Sequence, residues 1–200
     1  LLTGAGSLVL DSINSTPSSL TVELLNSSTY SGVISGLGAL YKTGTGTLTL
    51  TGSNTFTGGL TVSAGTVDTT GGGTLANTGA ITVAQSANFI AGTTDTVGAV
   101  SNSGTYTVNA AQTVASLSNS ATGVANLNAT LTSGSTVNNA NGGVINQAAD
   151  ITATGTVTND GTINVTGRRT TRSGGYQGTG ETSLAADSDL TVHQTASSTY

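Results

Sequence analysis

Residues 100–165 read VSNSGTYTVNAAQTVASLSNSATGVANLNATLTSGSTVNNANGGVINQAADITATGTVTNDGTINV, and one three-residue phrase runs through them: apolar, variable, Asn. It stands at Val100-Ser101-Asn102, Leu117-Ser118-Asn119, Val137-Asn138-Asn139 and Val157-Thr158-Asn159. An earlier copy is Leu75-Ala76-Asn77, and the five recur at similar though unequal intervals. Three copies lead into Gly and alternating apolar residues, at Gly79-Ala80-Ile81-Thr82-Val83, Gly104-Thr105-Tyr106-Thr107-Val108 and Gly161-Thr162-Ile163-Asn164-Val165. Alternation of period two is the mark of a strand with one face inside, so each unit reads strand, turn, strand. Asn and Gly accept positive φ, so the turn could close a hairpin and give a sandwich or meander. The spacing favours another solution. Units of roughly 20 residues match one coil of a parallel β-helix, whose corners stack while the inward alternation builds a continuous core. The fold expected is all-β, a parallel β-helix (β-solenoid) of roughly eight to ten coils, with Asn77, Asn102, Asn119, Asn139 and Asn159 stacked as a ladder. At ~4.8 Å per coil the rod is about 40 to 45 Å long.

Composition agrees. Of 200 residues only 4 are Lys or Arg and 9 are Asp or Glu, 6% in all, against about 25% in an ordinary soluble domain. Thr, Ser, Asn and Gly take their place, and these tolerate stacking and tight turns without the repulsion of stacked like charges. Aliphatic and β-branched residues alternate throughout, as in Thr47-Leu48-Thr49-Leu50, which argues against disorder, and no apolar stripe of period 3.6 supports a helix. Cys is absent, so neither a disulfide nor a thiolate metal site exists. A net charge of −5 with four basic residues leaves little to neutralise phosphates, so nucleic acid is not an expected partner.

A longer repetition overlies the short one. Leu20-Thr21-Val22 and Ser27-Ser28-Thr29-Tyr30 return as Leu190-Thr191-Val192 and Ser197-Ser198-Thr199-Tyr200, at a constant offset. Residues 1–200 are therefore expected to be one solenoid segment of a larger tandem-repeat protein, with a loop near Pro17 and another over 168–178 interrupting the coils. No signal peptide, transmembrane helix or barrel pattern is visible, so membrane insertion by this segment is not expected and anchoring parts would lie elsewhere.

Residues 28–67 carry a family resemblance. Tyr30-Ser31-Gly32-Val33-Ile34-Ser35-Gly36, Lys42-Thr43-Gly44-Thr45-Gly46-Thr47-Leu48-Thr49-Leu50, Asn54-Thr55-Phe56-Thr57-Gly58-Gly59 and Ala64-Gly65-Thr66-Val67 resemble the autotransporter-associated β-strand repeat, although Leu60 stands where such repeats often have Thr. The resemblance implies a right-handed parallel β-helix in the passenger of a type V secretion protein, secreted or held on the bacterial outer surface. The motif contains no chemistry. Tyr30 and Phe56 are expected as inward or corner fillers.

Few residues point to a site. Clustered carboxylates of the kind that glycan-cleaving β-helices need are not apparent, since Asp187 and Asp189 form the sole close acidic pair and read as a solvated turn. His193, the one imidazole, aligns with Glu23 in the long repetition and reads as surface. Neither a zinc spacing nor a calcium-binding Gly-Asp nonapeptide occurs, so no catalytic residue, metal or cofactor is expected. Thr-x-Thr at Thr47/Thr49, Thr105/Thr107, Thr130/Thr132 and Thr156/Thr158 lacks the constant period of an ice-binding array. Arg168, Arg169 and Arg172, with Tyr176 nearby, form the best candidate contact, for an acidic glycan or a neighbouring subunit. The expected function is a non-enzymatic rod with an adhesin-like face; the alternative is a self-assembling fibre subunit. Partners would be flanking repeats, copies of itself, or a host-surface or matrix glycan or protein.

Overall fold

The computed structural model describes residues 2–11, 17–75 and 79–195. Among them every regular element is a strand and every strand pairing is parallel. The strands form a three-sided prism, apart from Ser7–Val9 and Val33–Ser35, which pair as a separate two-stranded sheet. Face 1 has nine strands, from Ser28–Tyr30 and Thr47–Leu50 through Thr105–Val108 and Val124–Leu127 to Glu181–Leu184. Face 2 has six: Asp95–Val97, Gln112–Val114, Leu131–Ser133, Ile151–Ala153, Arg168–Ser173 and Asp189–Gln194. Face 3 has nine, from Ser19–Glu23 and Ala39–Thr43 through Val100–Asn102 and Val137–Asn139 to Gly175–Gln177. The chain visits faces 1, 2 and 3 in turn and makes about nine turns, a β-solenoid as the spacing predicts.

Register explains why uneven spacing is harmless. On face 3, Leu20, Leu40, Leu60, Ile81, Val100, Leu117, Val137 and Val157 are successive partners, although the step from Val100 to Leu117 is shorter than the step from Leu117 to Val137. Corners absorb the difference. Between Val114 and Leu117 the corner is Ala115-Ser116, whereas between Ser133 and Val137 it is Gly134-Ser135-Thr136. Strand alternation then sends the apolar set inward at every level, where Leu40, Val62, Val67, Leu127 and Ile145 are fully buried. Tyr30 and Phe56 are buried too, and Phe89 stacks on Tyr106 one turn later with ring centroids 5.8 Å apart and planes 8° from parallel.

Close coil approach fixes some corners to Gly. Gly44 has φ +72°, and a Cβ there would lie 2.3 Å from the Leu24 carbonyl oxygen. Gly44→Ala is expected to lower stability by about 2 kcal/mol or more, through left-handed strain and displaced backbone, measurable as a fall in urea midpoint.

Three expectations need correction. Residues 168–178 are not a loop: Arg168–Ser173 pairs with Ile151–Ala153 and Asp189–Gln194, and Gly175–Gln177 pairs with Thr156–Asn159. Thr171 and Ser173 take the inward positions there, and small hydroxyls leave no apolar alternation to read. Gly79-Ala80-Ile81-Thr82-Val83 is not the counterpart of Gly104–Val108, because Ile81–Val83 lies on face 3 beside Val100–Asn102 and Thr105–Val108 lies on face 1. Finally, Leu20-Thr21-Val22 is on face 3 but its distant echo Leu190-Thr191-Val192 is on face 2, so the long repetition does not return the chain to the same face. Ser197–Tyr200 lies outside the described residues.

Candidate functional site

The Asn phrases place a polar ladder inside face 3. Asn102, Asn119, Asn139 and Asn159 are in register and buried. The Asn102 Nδ2 donates to Asn119 Oδ1 at 2.8 Å, Asn119 to Asn139 at 2.8 Å, and Asn139 to Asn159 at 2.8 Å. The same amides reach backbone carbonyls at the corner, among them Val124, Val144 and Thr162, and Asn159 ends the chain of bonds on the Glu181 carbonyl at 2.9 Å. Each buried amide thus ties two turns together and adds a second donor to corner carbonyls, Gly123 and Gly143, that already accept a backbone N–H from the next turn. Asn77 lies outside the described residues, and the position in register before Asn102 is Val83.

Lys42 occupies this same inward column, between Val22 and Val62, and is fully buried. Its Nζ donates to the carbonyls of Thr43 and Gly44 at 2.8 Å each and of Ala64 at 3.3 Å. Three ammonium hydrogens meet three carbonyls, so Lys42 performs at its corner what the Asn residues perform later. Burial holds its pKa below the ordinary amine value. Asn54 and Gln112 act alike. Asn54 accepts from the Ile34 N–H and donates to Gly52 and Thr74, and Gln112 donates to Thr93 and Ala111. Sequence reading missed Lys42, Asn54 and Gln112 because none of them belongs to the repeated Asn phrase.

A second ladder lies outside. Asn126, Asn146 and Asn164 of face 1 are half-buried and bonded in series at 2.8 and 2.9 Å. The signal that could have found them is an Asn standing two positions after Val124, Val144 and Thr162.

The arginines lie on face 2. Arg168 is exposed and pairs with Asp189 at 3.4 Å; Arg169 Nε donates to the Thr166 carbonyl at 2.7 Å; Arg172 is exposed and stands in register with His193. Tyr176 is not beside them. It falls in the inward column of face 3, and its hydroxyl meets that of Thr182 at 2.9 Å across the prism end. Asp187 sits in the turn before Asp189–Gln194, with φ 58°. Among the described residues no three His, Cys, Asp or Glu side chains gather to hold a metal ion.

Asp95 is a half-buried acid. Its carboxylate accepts the Leu75 and Thr96 N–H groups, yet burial outweighs both and raises its pKa. Tyr106 is also pushed up, by burial first and then by the charge of Asp95. Since the folded pKa of Asp95 exceeds the unfolded one, its protonated form favours folding below the unfolded pKa near 3.8, and that contribution is lost as pH rises through the folded value. Wild type minus Asp95→Asn stability, from melts between pH 3 and 7, is expected to be larger at the acid end; a difference that grows with pH is the contrary result.

Residues 40–68 match the family model of the Passenger-associated-transport-repeat. The matched stretch contains Lys42, Asn54 and Phe56, three of the buried residues that close the early corners and fill the core. Comparison with curated proteins and with solved structures gave no match.

Proposed function

We propose that the chain is a rod-forming segment of a secreted passenger, displayed on a bacterial outer surface as an adhesin-like module. The observation that carries this reading is a passenger-associated repeat set within a stack of about nine turns. A secreted or surface-displayed passenger is what that repeat family implies, and the fold fits it. Its sparsely charged exterior of Thr, Ser and Asn gives a long polar face, and its buried polar groups serve corners rather than substrates. A structural role therefore accounts for the side chains better than turnover does.

A second reading is a self-assembling fibre, in which the parallel pairing of successive turns would continue from one copy to the next. Electron microscopy and light scattering separate the two readings. Monodisperse short rods are expected for the display module, and continuous filaments at micromolar concentration would establish the fibre instead. Protease shaving of intact cells tests display: the segment should be lost from whole cells while cytoplasmic markers survive.

A further inference from the structure

The outer side of face 2 carries one continuous column. Thr96, Thr113, Thr132, Thr152, Arg172 and His193 are partners in succession, one per turn, all pointing away from the core. Six strands at ~4.8 Å spacing span about 24 Å along the rod axis. Beside the first half of the column the corner consists of Gly98, Ala115 and Gly134, and the lack of bulk there opens a shallow groove of about 390 Å³, floored by Thr96, Val97, Thr113 and Val114. The Thr-x-Thr pairs of the sequence hid this column, because its members are unevenly spaced along the chain and are aligned by the corners rather than by number.

Charge singles out the same face. The chain has four Lys and Arg residues; Lys42 is buried against carbonyls, and the other three are on face 2. Arg172 stands in the Thr column itself and has no hydrogen bond or ion pair among the described residues, while Arg168 and Arg169 lie on the same strand. Asp189 and Asp150, which accepts the Thr170 N–H at 2.8 Å, moderate the local charge. Within a protein of net charge −5, this is where all three arginines are gathered.

We propose that the column and its groove bind one chain of a carboxylate-bearing polysaccharide, laid along the rod axis. Sugar hydroxyls exchange hydrogen bonds with the Thr row, the ring faces lie over the Gly and Ala corner, and a uronate carboxylate takes the free guanidinium fork of Arg172. A protein partner would need an apolar or aromatic anchor pocket, which a groove of Thr, Gly, Ala and Val does not offer. A nucleic acid would need many more cations than three. The partial cancellation by Asp150 and Asp189 sets the affinity low, with Kd on the order of 0.1 mM. This inference supplies a partner for the display reading and rests on face 2 being presented outward; the microscopy and shaving above test display without reference to any ligand, so the two can fail separately.

Calorimetric titration of the full chain with alginate oligomers, dextran and polyglutamate tests the proposal. Alginate is expected to bind at least tenfold more tightly than either control. Arg172→Ser should weaken alginate binding about tenfold, as loss of a charge-assisted hydrogen bond does, and Thr113→Val with Thr132→Val should weaken it about threefold with every Arg retained. All these positions point outward, so unchanged melting curves would attest an intact fold. The proposal is overturned by absent alginate binding, by equal binding of dextran or polyglutamate, or by indifference to either set of substitutions. It is equally overturned if light scattering finds a dimer that Arg172→Ser dissolves, since the patch would then serve a second copy.

Discussion

One Gly inserted between Ala125 and Asn126 is expected to cost about 3–5 kcal/mol or to unfold the turns around it, whereas the same Gly inserted between Ala115 and Ser116 should cost under about 1 kcal/mol. The first site lies inside Val124–Leu127, where Ala125 and Leu127 are fully buried. An extra residue turns Leu127 outward and Asn126 inward, exposing apolar surface worth about 1.5–3 kcal/mol. It also breaks the side-chain bonds of Asn126 to Thr107 and Asn146. The second site is a corner that already exists in a longer form one turn later, at Gly134-Ser135-Thr136. Urea unfolding followed by circular dichroism, with hydrogen exchange to locate the damage, would compare the two. Equal costs would contradict a fold in which corners absorb length and strands do not.

Asn119→Leu should be the most damaging conservative-volume change in the core. The Asn119 amide donates to Asn139 Oδ1 at 2.8 Å, to the Gly123 carbonyl at 3.0 Å and to the Val144 carbonyl at 3.1 Å, while its oxygen accepts from Asn102 at 2.8 Å. Leu would leave the buried Asn139 oxygen without a donor and the Asn102 amide short of an acceptor, at about 1–3 kcal/mol each, for an expected loss of about 3–5 kcal/mol. Converting Asn102, Asn119, Asn139 and Asn159 together to Val, the residue the column carries at Val22, Val62 and Val83, should cost well under four times that figure. Removing both partners of a bond is cheaper than orphaning one. Strict additivity across the four would mean that the ladder bonds are independent and the cooperative account is wrong.

Much of this architecture was legible in the residues, and the parts that were not share a physical cause. Alternation at Thr47–Leu50 and the Asn phrases from Val100 onward announce strands and coils because apolar side chains and amides mark the inward positions. Val83 precedes the Asn residues in their column without being Asn, so the repeated phrase does not mark it. Residues 168–178 read as loop because hydroxyls and not hydrocarbon fill the inward positions at Thr171 and Ser173. Lys42 carries no such mark, for a lone ammonium enters a core only when carbonyls wait for it, and those carbonyls belong to corners a sequence does not draw. The grouping of Tyr176 with the arginines failed for a related reason: four positions along the chain carried it around a corner, from face 2 to face 3.

The scarcity of charge noted at the outset has an environmental consequence. Among the described residues a single ion pair, Arg168 with Asp189, is formed, and it is well exposed. Dissolved ions therefore find little in the scaffold to screen, since its cohesion comes from buried hydrocarbon and from amide bonds shielded from solvent. Such a rod should keep one shape from fresh water to brine, leaving salinity to act on whatever the arginines touch.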